Sequence, residues 1–286
     1  MRSRMTFGNR LYLARSEGDE SVVPSPLEGK RVRVRGGHRF EQTSLSQSIA
    51  RSGWSWGCSA FDFDNDGYPD VYIANGHESK QTVRDYETEF WLHNIYVGDE
   101  VDDLTATAYL TGNLSRTRGS GWSYGGYEKN RLYLNQQGKS FVEIAWLMGV
   151  ALQEDSRCVV ADDLDGDGRM DLLVTTQEVW PETKQTLRVY RDTLEGGGNW
   201  IGFRFREEGA GKSPVGVRVT LNWNGQKATR QIVTGDSFRS QHANTLHFGL
   251  GKADRVDSVE IKCPSGQVVT LRELAVDRYH SVDVPK

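Results

Sequence analysis

The chain has 286 residues, with 35 basic and 39 acidic groups for a formal charge of −4, and 37% of its residues are hydrophobic, enough for one large domain or two ordinary ones. That balance argues against a nucleic-acid groove, which needs clustered positive charge. No stretch stays apolar for the roughly 18 residues of a membrane-spanning helix.

Glycine is abundant, at 31 against 7 prolines, and glycine supplies positive-φ turns, so the chain reads as many short strands and tight turns. From the start, Met1 to Arg10 is polar and basic with no apolar core of a signal peptide. A short strand pattern then recurs, as Arg10-Leu-Tyr-Leu13, Arg131-Leu-Tyr-Leu134 and Arg188-Val-Tyr-Arg191. Phe40-Glu-Gln follows the first copy and Phe141-Val-Glu the second. Tyr133 and Tyr190 stand about 60 residues apart, the size of a propeller-blade repeat, and Tyr12 to Tyr133 is about twice that. The longer unit carries insertions at about Ser16–His38 and at about 76–129, the second rich in aromatics.

Two Asp-rich segments match closely, Asp62-Phe-Asp-Asn-Asp-Gly-Tyr-Pro-Asp70 and Asp163-Leu-Asp-Gly-Asp-Gly-Arg-Met-Asp171. Each is followed by an apolar strand, Val71-Tyr-Ile-Ala-Asn75 or Leu172-Leu-Val-Thr-Thr176. Carboxylates at the first, third, fifth and ninth positions, with glycine at the sixth, converge on one point and suit calcium, which takes six to eight oxygens in a forgiving geometry. The expected ligands are Asp62, Asp64, Asp66 and Asp70 with the carbonyl of Tyr68, and Asp163, Asp165, Asp167 and Asp171 with the carbonyl of Arg169. Gly67 and Gly168 make the sharp turns. These are not EF-hands: the twelfth position, which there holds a bidentate Glu, is Ile73 or Val174, and the flanks read as strands. Magnesium, which demands near-ideal octahedral geometry, fits less well.

Two aromatic segments also resemble each other, Ser52-Gly-Trp-Ser-Trp-Gly57 and Ser120-Gly-Trp-Ser-Tyr-Gly125. Aromatic faces stack on sugar rings and peptides but equally fill blade cores. Trp54, Trp56, Trp91, Trp122 and Tyr124 are therefore candidates for ligand contact, and core packing is the competing reading. None of the histidines forms a His-Glu-x-x-His or two-His metal spacing, and no Gly-x-Ser-x-Gly elbow occurs. The three cysteines, Cys58, Cys158 and Cys263, are too few and too far apart for a disulfide framework. They read as small buried thiols, with a Cys58–Cys158 pair left open because both precede similar loops.

Glu195-Gly-Gly-Gly198 punctuates the chain. Beyond it, Val215, Val217, Val219, Leu221 and Trp223 alternate with polar residues and glycine, the period of a half-buried strand. Asn224-Gly225 predicts a type I′ hairpin returning through Arg230-Gln-Ile-Val233. A second hairpin is expected from Val259 and Ile261 through Pro264-Ser-Gly266 to Val269 and Leu271. No long amphipathic helix is legible anywhere in the chain.

The Asp-rich loops and the Asn-Arg-Leu-Tyr-Leu strands resemble FG-GAP/VCBS repeats, which build β-propellers. Asn199-Trp200-Ile, Gly216-Val-Arg-Val219, Gly235-Asp-Ser-Phe238, Ser240-Gln241, Leu246-His-Phe-Gly-Leu-Gly251 and Pro264-Ser-Gly266 resemble an ASPIC/UnbV domain. Together they are similar to the cartilage acidic protein family and its bacterial relatives. The resemblance implies an all-β chain: an incomplete β-propeller over 1–195, with an insertion at 76–129, then a small antiparallel β-sandwich or barrel over 199–284. It implies two calcium ions, an extracellular, periplasmic or cell-surface setting, a glycan or extracellular protein as partner, and no catalytic residues. The alternative is a carbohydrate-active enzyme, or an accessory domain of one, using the aromatic insertion loops. Because such propellers have about seven blades and this chain holds roughly three units, an N-terminal portion is expected to be missing. The bare blade faces would then self-associate, unless the insertion folds back over them.

Overall fold

A computed structural model of the chain describes residues 12–16, 38–42, 45–87, 104–206, 213–233, 235 and 237–283. It is β-rich, and no closed barrel forms among the described residues. Strand β1 (Tyr12–Ser16) pairs antiparallel with β2 (His38–Gln42), and a short helix, α1 (Ser46–Ile49), leads into the larger sheets. Strands β3 (Ser55–Phe61) and β4 (Asp70–Asn75) form a hairpin whose connection is the first Asp-rich loop.

Between β4 and its next partner come β5 (Thr82–Asp85), the helix α2 (Leu104–Gly119) and β6 (Trp122–Ser123). β7 (Arg131–Asn135) and β8 (Phe141–Glu143) then complete a four-stranded sheet in the order β3-β4-β7-β8. Helix α2 departs from the sequence expectation. Leu110 and Leu114 stand one turn apart, but Thr, Gly, Asn and Arg interrupt the pattern on either side, so no apolar stripe runs along the helix to announce it.

The second Asp-rich loop is likewise a hairpin connection, between β9 (Ser156–Asp162) and β10 (Asp171–Glu178). β11 (Lys184–Tyr190) adds the third strand. The two hairpins lie side by side, and a Cβ on Gly57 of β3 would meet the Arg157 carbonyl of β9. Phe61, Tyr72, Leu132, Val159, Leu172 and Val174 bury one shared core between the two sheets. Tyr72 is fully enclosed, and its hydroxyl donates to the Val150 carbonyl at 2.9 Å. The other face of β9–β11 is less covered: Leu187 and Val189 are 55% and 56% exposed.

The C-terminal strands are β12 (Asn199–Arg206), β13 (Arg218–Trp223), β14 (Gln226–Gln231), β15 (Thr245–Gly251), β16 (Ser258–Lys262), β17 (Val268–Leu271) and β18 (Tyr279–Asp283). They make two sheets, β15-β12-β18 and β14-β13-β16-β17. Ile201, Phe203, Val219, Leu221, Phe248 and Ile261 fill the space between them. Both expected hairpins form. Asn224 and Gly225 take φ of 45° and 73°, the two positive angles of a type I′ turn, and Val259 and Ile261 face Leu271 and Val269. One expectation is corrected: this part is not wholly antiparallel, because β18 runs parallel to β12, with Phe203 opposite His280. The final strand returns to the edge of β12 after a long connection, and an alternating pattern carries no information about strand direction.

Candidate functional site

Each Asp-rich loop gathers three carboxylates. Ligand oxygens of Asp62, Asp64 and Asp70 lie within 4.8 Å of one another, and those of Asp163, Asp165 and Asp171 do the same. The backbone makes this possible by taking positive φ at the fourth and sixth positions, at Asn65 (59°) and Gly67 (95°) and at Gly166 (79°) and Gly168 (88°). The fifth-position carboxylates, Asp66 and Asp167, are not part of either cluster. Each accepts the amide of the residue two further on, Tyr68 at 2.8 Å and Arg169 at 2.9 Å.

The ninth-position acid anchors the loop. Asp70 accepts the amides of Phe63 and Asn135, both at 2.7 Å, and Asp171 accepts those of Leu164 at 3.0 Å and Asp192 at 2.8 Å. Asp62 and Asp70 are almost fully buried, and burial pushes both carboxyl groups up to about 7. Burial likewise raises Asp171 and Asp66. One oxygen of Asp62, Oδ1, is buried with no hydrogen-bond partner, while its Oδ2 accepts the Gly67 amide at 2.9 Å. The second loop is balanced by cations of its own: Arg191 pairs with Asp165 at 2.6 Å, and Arg169 pairs with Asp167.

Both loops lie against the C-terminal sheets. Trp200 of β12 covers Gly168 so closely that a Cβ there would overlap its indole. Gly249 of β15 faces Asp62 and Asn65 with the same absence of room. Asn65 ties the parts together: its amide nitrogen donates to the Gly168 carbonyl at 2.9 Å, and its oxygen therefore accepts from His247 Nε2 at 2.7 Å. That contact fixes the histidine proton on Nε2. The Tyr279 hydroxyl donates to Asp163 Oδ2 at 2.8 Å. Sequence reasoning missed this junction; Trp200 and His247 stood inside the ASPIC/UnbV-like motifs with nothing to say which surface they met.

The aromatic candidates divide. Trp54, Trp56 and Tyr124 gather around His77, with ring centroids 5.1, 5.4 and 5.1 Å from it, and Tyr124 stacks on Tyr86. Tyr124 is buried, and Trp54 and Trp56 are half-buried. Trp122 stands apart, under the Arg84 guanidinium at 5.6 Å. Trp91 lies outside the described residues. Of the three cysteines, Cys58 is exposed, Cys158 half-buried and Cys263 buried.

Residues 208–286 match the family model described as ASPIC and UnbV. The C-terminal part of this chain is an ASPIC/UnbV domain. Cartilage acidic protein 1 of Mus musculus is 32% identical over 137 residues, and that of Homo sapiens is 33% identical over the same length. Each match covers 47% of this chain and 20% of the relative, so the matched region is a fifth of those proteins' length. β18, which carries Tyr279, and β15, which carries Gly249 and His247, both belong to the ASPIC/UnbV domain. No helix among the described residues is long and apolar enough to cross a membrane.

Proposed function

We propose that the chain is a non-catalytic recognition module of the extracellular space, stiffened by two calcium ions, in which β1 to β11 are FG-GAP/VCBS-type blades of an incomplete propeller over 1–195. The observation that carries the calcium reading is the buried, unpartnered Oδ1 of Asp62 within a cluster of three carboxylates. Buried carboxylates that repel one another are costly without a cation, and an all-oxygen donor set suits a hard ion such as calcium. Asp62, Asp64 and Asp70 would hold one ion, and Asp163, Asp165 and Asp171 the other. The fifth-position acids Asp66 and Asp167 and the carbonyls of Tyr68 and Arg169 are the remaining donors that the spacing offers. A bound calcium supplies positive charge that locks each hairpin connection to its sheet.

The relatives' name places them in cartilage, which supports an extracellular setting and a glycan or matrix protein as partner. The non-catalytic reading is supported by two histidines already engaged in packing. His77 is enclosed by aromatic rings, and His247 is occupied by Asn65. Elemental analysis and thermal melting test the proposal. At affinities of about 10⁻⁴–10⁻³ M, roughly 5 mM calcium adds about 1–2 kcal/mol per site relative to EDTA. Superimposable melting curves and no calcium by elemental analysis would sink it. Glycan and matrix-protein arrays run with calcium and with EDTA then identify the ligand.

A further inference from the structure

The two Asp-rich loops are hydrogen-bonded to and packed against the ASPIC/UnbV domain. In the second loop the Asp163 carboxylate accepts four hydrogen bonds. Three come from its own loop: the amides of Gly166 at 2.7 Å, Asp167 at 3.1 Å and Gly168 at 2.8 Å. The fourth comes from the Tyr279 hydroxyl of β18 at 2.8 Å. In the first loop the domain contributes a surface. Gly249 presses its bare α-carbon toward Asp62, and any side chain there would enter the carboxylate. Two backbone bonds then clip the loop to the domain and its leading segment: Gly251 N–H to the Asn65 carbonyl at 2.8 Å, and Gly198 N–H to the Asp64 carbonyl at 2.9 Å.

Asn65 matters most because it makes three contacts, two to β15 and one to the other loop. It contributes a carbonyl to Gly251, an amide nitrogen to the other loop and an amide oxygen to His247. The equivalent position in the second loop is Gly166, which has no side chain to make such contacts. The loops are therefore not symmetric copies. The first one reads the domain with its own side chain, and the second receives a hydroxyl from it.

We infer that the ASPIC/UnbV domain completes the cation sites: Tyr279 is a positioning residue for Asp163, and docking of the domain and loading of the loops form one coupled equilibrium. The inference rests on the calcium reading above. A hydrogen bond that orients a metal-ligating carboxylate belongs to the site as much as the ligand does, and its loss lowers metal affinity by about 10–100-fold. Coupling between two binding events is reciprocal, so calcium must favour docking by the factor by which docking favours calcium.

Two measurements on the full chain test this. Calorimetric titration with calcium chloride compares the wild type with Tyr279→Phe, which keeps the ring packed on Trp200 at 4.7 Å and removes only the hydroxyl. The expected result is two ions in the wild type, and in the variant one site weakened about tenfold with the other unchanged. Hydrogen exchange of the unmutated protein reads the reverse direction. Adding EDTA is expected to speed exchange at Gly198 and Gly251 about tenfold while the Val219 amide, inside the domain's own sheet, is unmoved. Tyr279→Phe that binds calcium as tightly as the wild type, or more tightly, overturns the inference and leaves the calcium reading standing. So does exchange at Gly198 and Gly251 that ignores EDTA in a protein that binds calcium. A wild type that takes up no calcium overturns both.

Discussion

His247 gives a test of the junction by pH. Its ring is 7% exposed, packed on Trp200 at 5.1 Å and hydrogen-bonded to Asn65, with the positive Arg230 nearby. Burial first, then Arg230, pulls its pKa down to about 3. A histidine whose folded pKa lies below its unfolded value contributes stability that is complete above the unfolded pKa of about 6.5 and is lost as pH falls toward the folded value. The loss runs at about 1.4 kcal/mol per pH unit, so moving from about pH 7.5 to pH 5 removes roughly 2 kcal/mol. Asp62 and Asp70 act in the opposite sense. Their folded pKa values of about 7 lie above the unfolded value, so in the ion-free protein they take up protons on acidification and favour the folded state. The measurement is therefore a double difference. Urea unfolding in EDTA is run on the wild type and on His247→Gln at both pH values. The carboxylate contributions cancel, and the wild type should lose about 2 kcal/mol relative to the variant on acidification. A relative loss under about 0.5 kcal/mol would mean that the ring is hydrated and the junction is not closed around it.

Three further outcomes are expected. Gly168→Ala should destabilise by more than about 2 kcal/mol, since its Cβ would overlap the Trp200 indole. Gly225→Ala, at a similar positive φ of 73° but with open space around it, should cost only about 1 kcal/mol. Equal losses for the two, by urea unfolding, would refute close packing at the junction. Phe203→Ala, at a fully buried position, should cost about 3–5 kcal/mol, against about 0.5 kcal/mol or less for Val268→Ala, which is 49% exposed. The β9–β11 sheet leaves Leu187 and Val189 open, so the wild type should self-associate in sedimentation velocity at micromolar concentration, and Leu187→Lys with Val189→Lys should reduce it. A monomeric wild type refutes that reading.

The local elements were legible where a short-range signal determines them. Asn224-Gly225 sets its own turn, and the alternation of Val219, Leu221 and Trp223 sets the face they bury. The nine-residue spacing brought the first, third and ninth acids together. It did not tell the fifth acid apart, because whether Asp66 turns inward or caps the Tyr68 amide depends on a single side-chain rotation. Helix α2 stayed hidden for lack of an apolar stripe, and Trp54 and Tyr124 gave no sign of meeting each other around His77. The contact between the loops and the ASPIC/UnbV domain is a matter of tertiary placement. Nothing in the local pattern around Tyr279 points to an aspartate that stands 116 positions earlier.

The ninth-position acid has a consequence for how such chains grow. Asp70 grips an amide 65 positions ahead and Asp171 one only 21 ahead, yet each loop brings its first, third and ninth acids within 4.8 Å of one another. Between β4 and β7 the chain has room for two strands, a helix and more, and the acid staple still finds its own sheet. Each unit therefore carries its carboxylate cluster as a cassette, made from one hairpin and an amide further along the chain. Copying the cassette copies the cluster, and lengthening its interior loop leaves the cluster intact. The ASPIC/UnbV domain sits across two consecutive cassettes, so in a longer array it would mark one pair of pockets as different from all the rest.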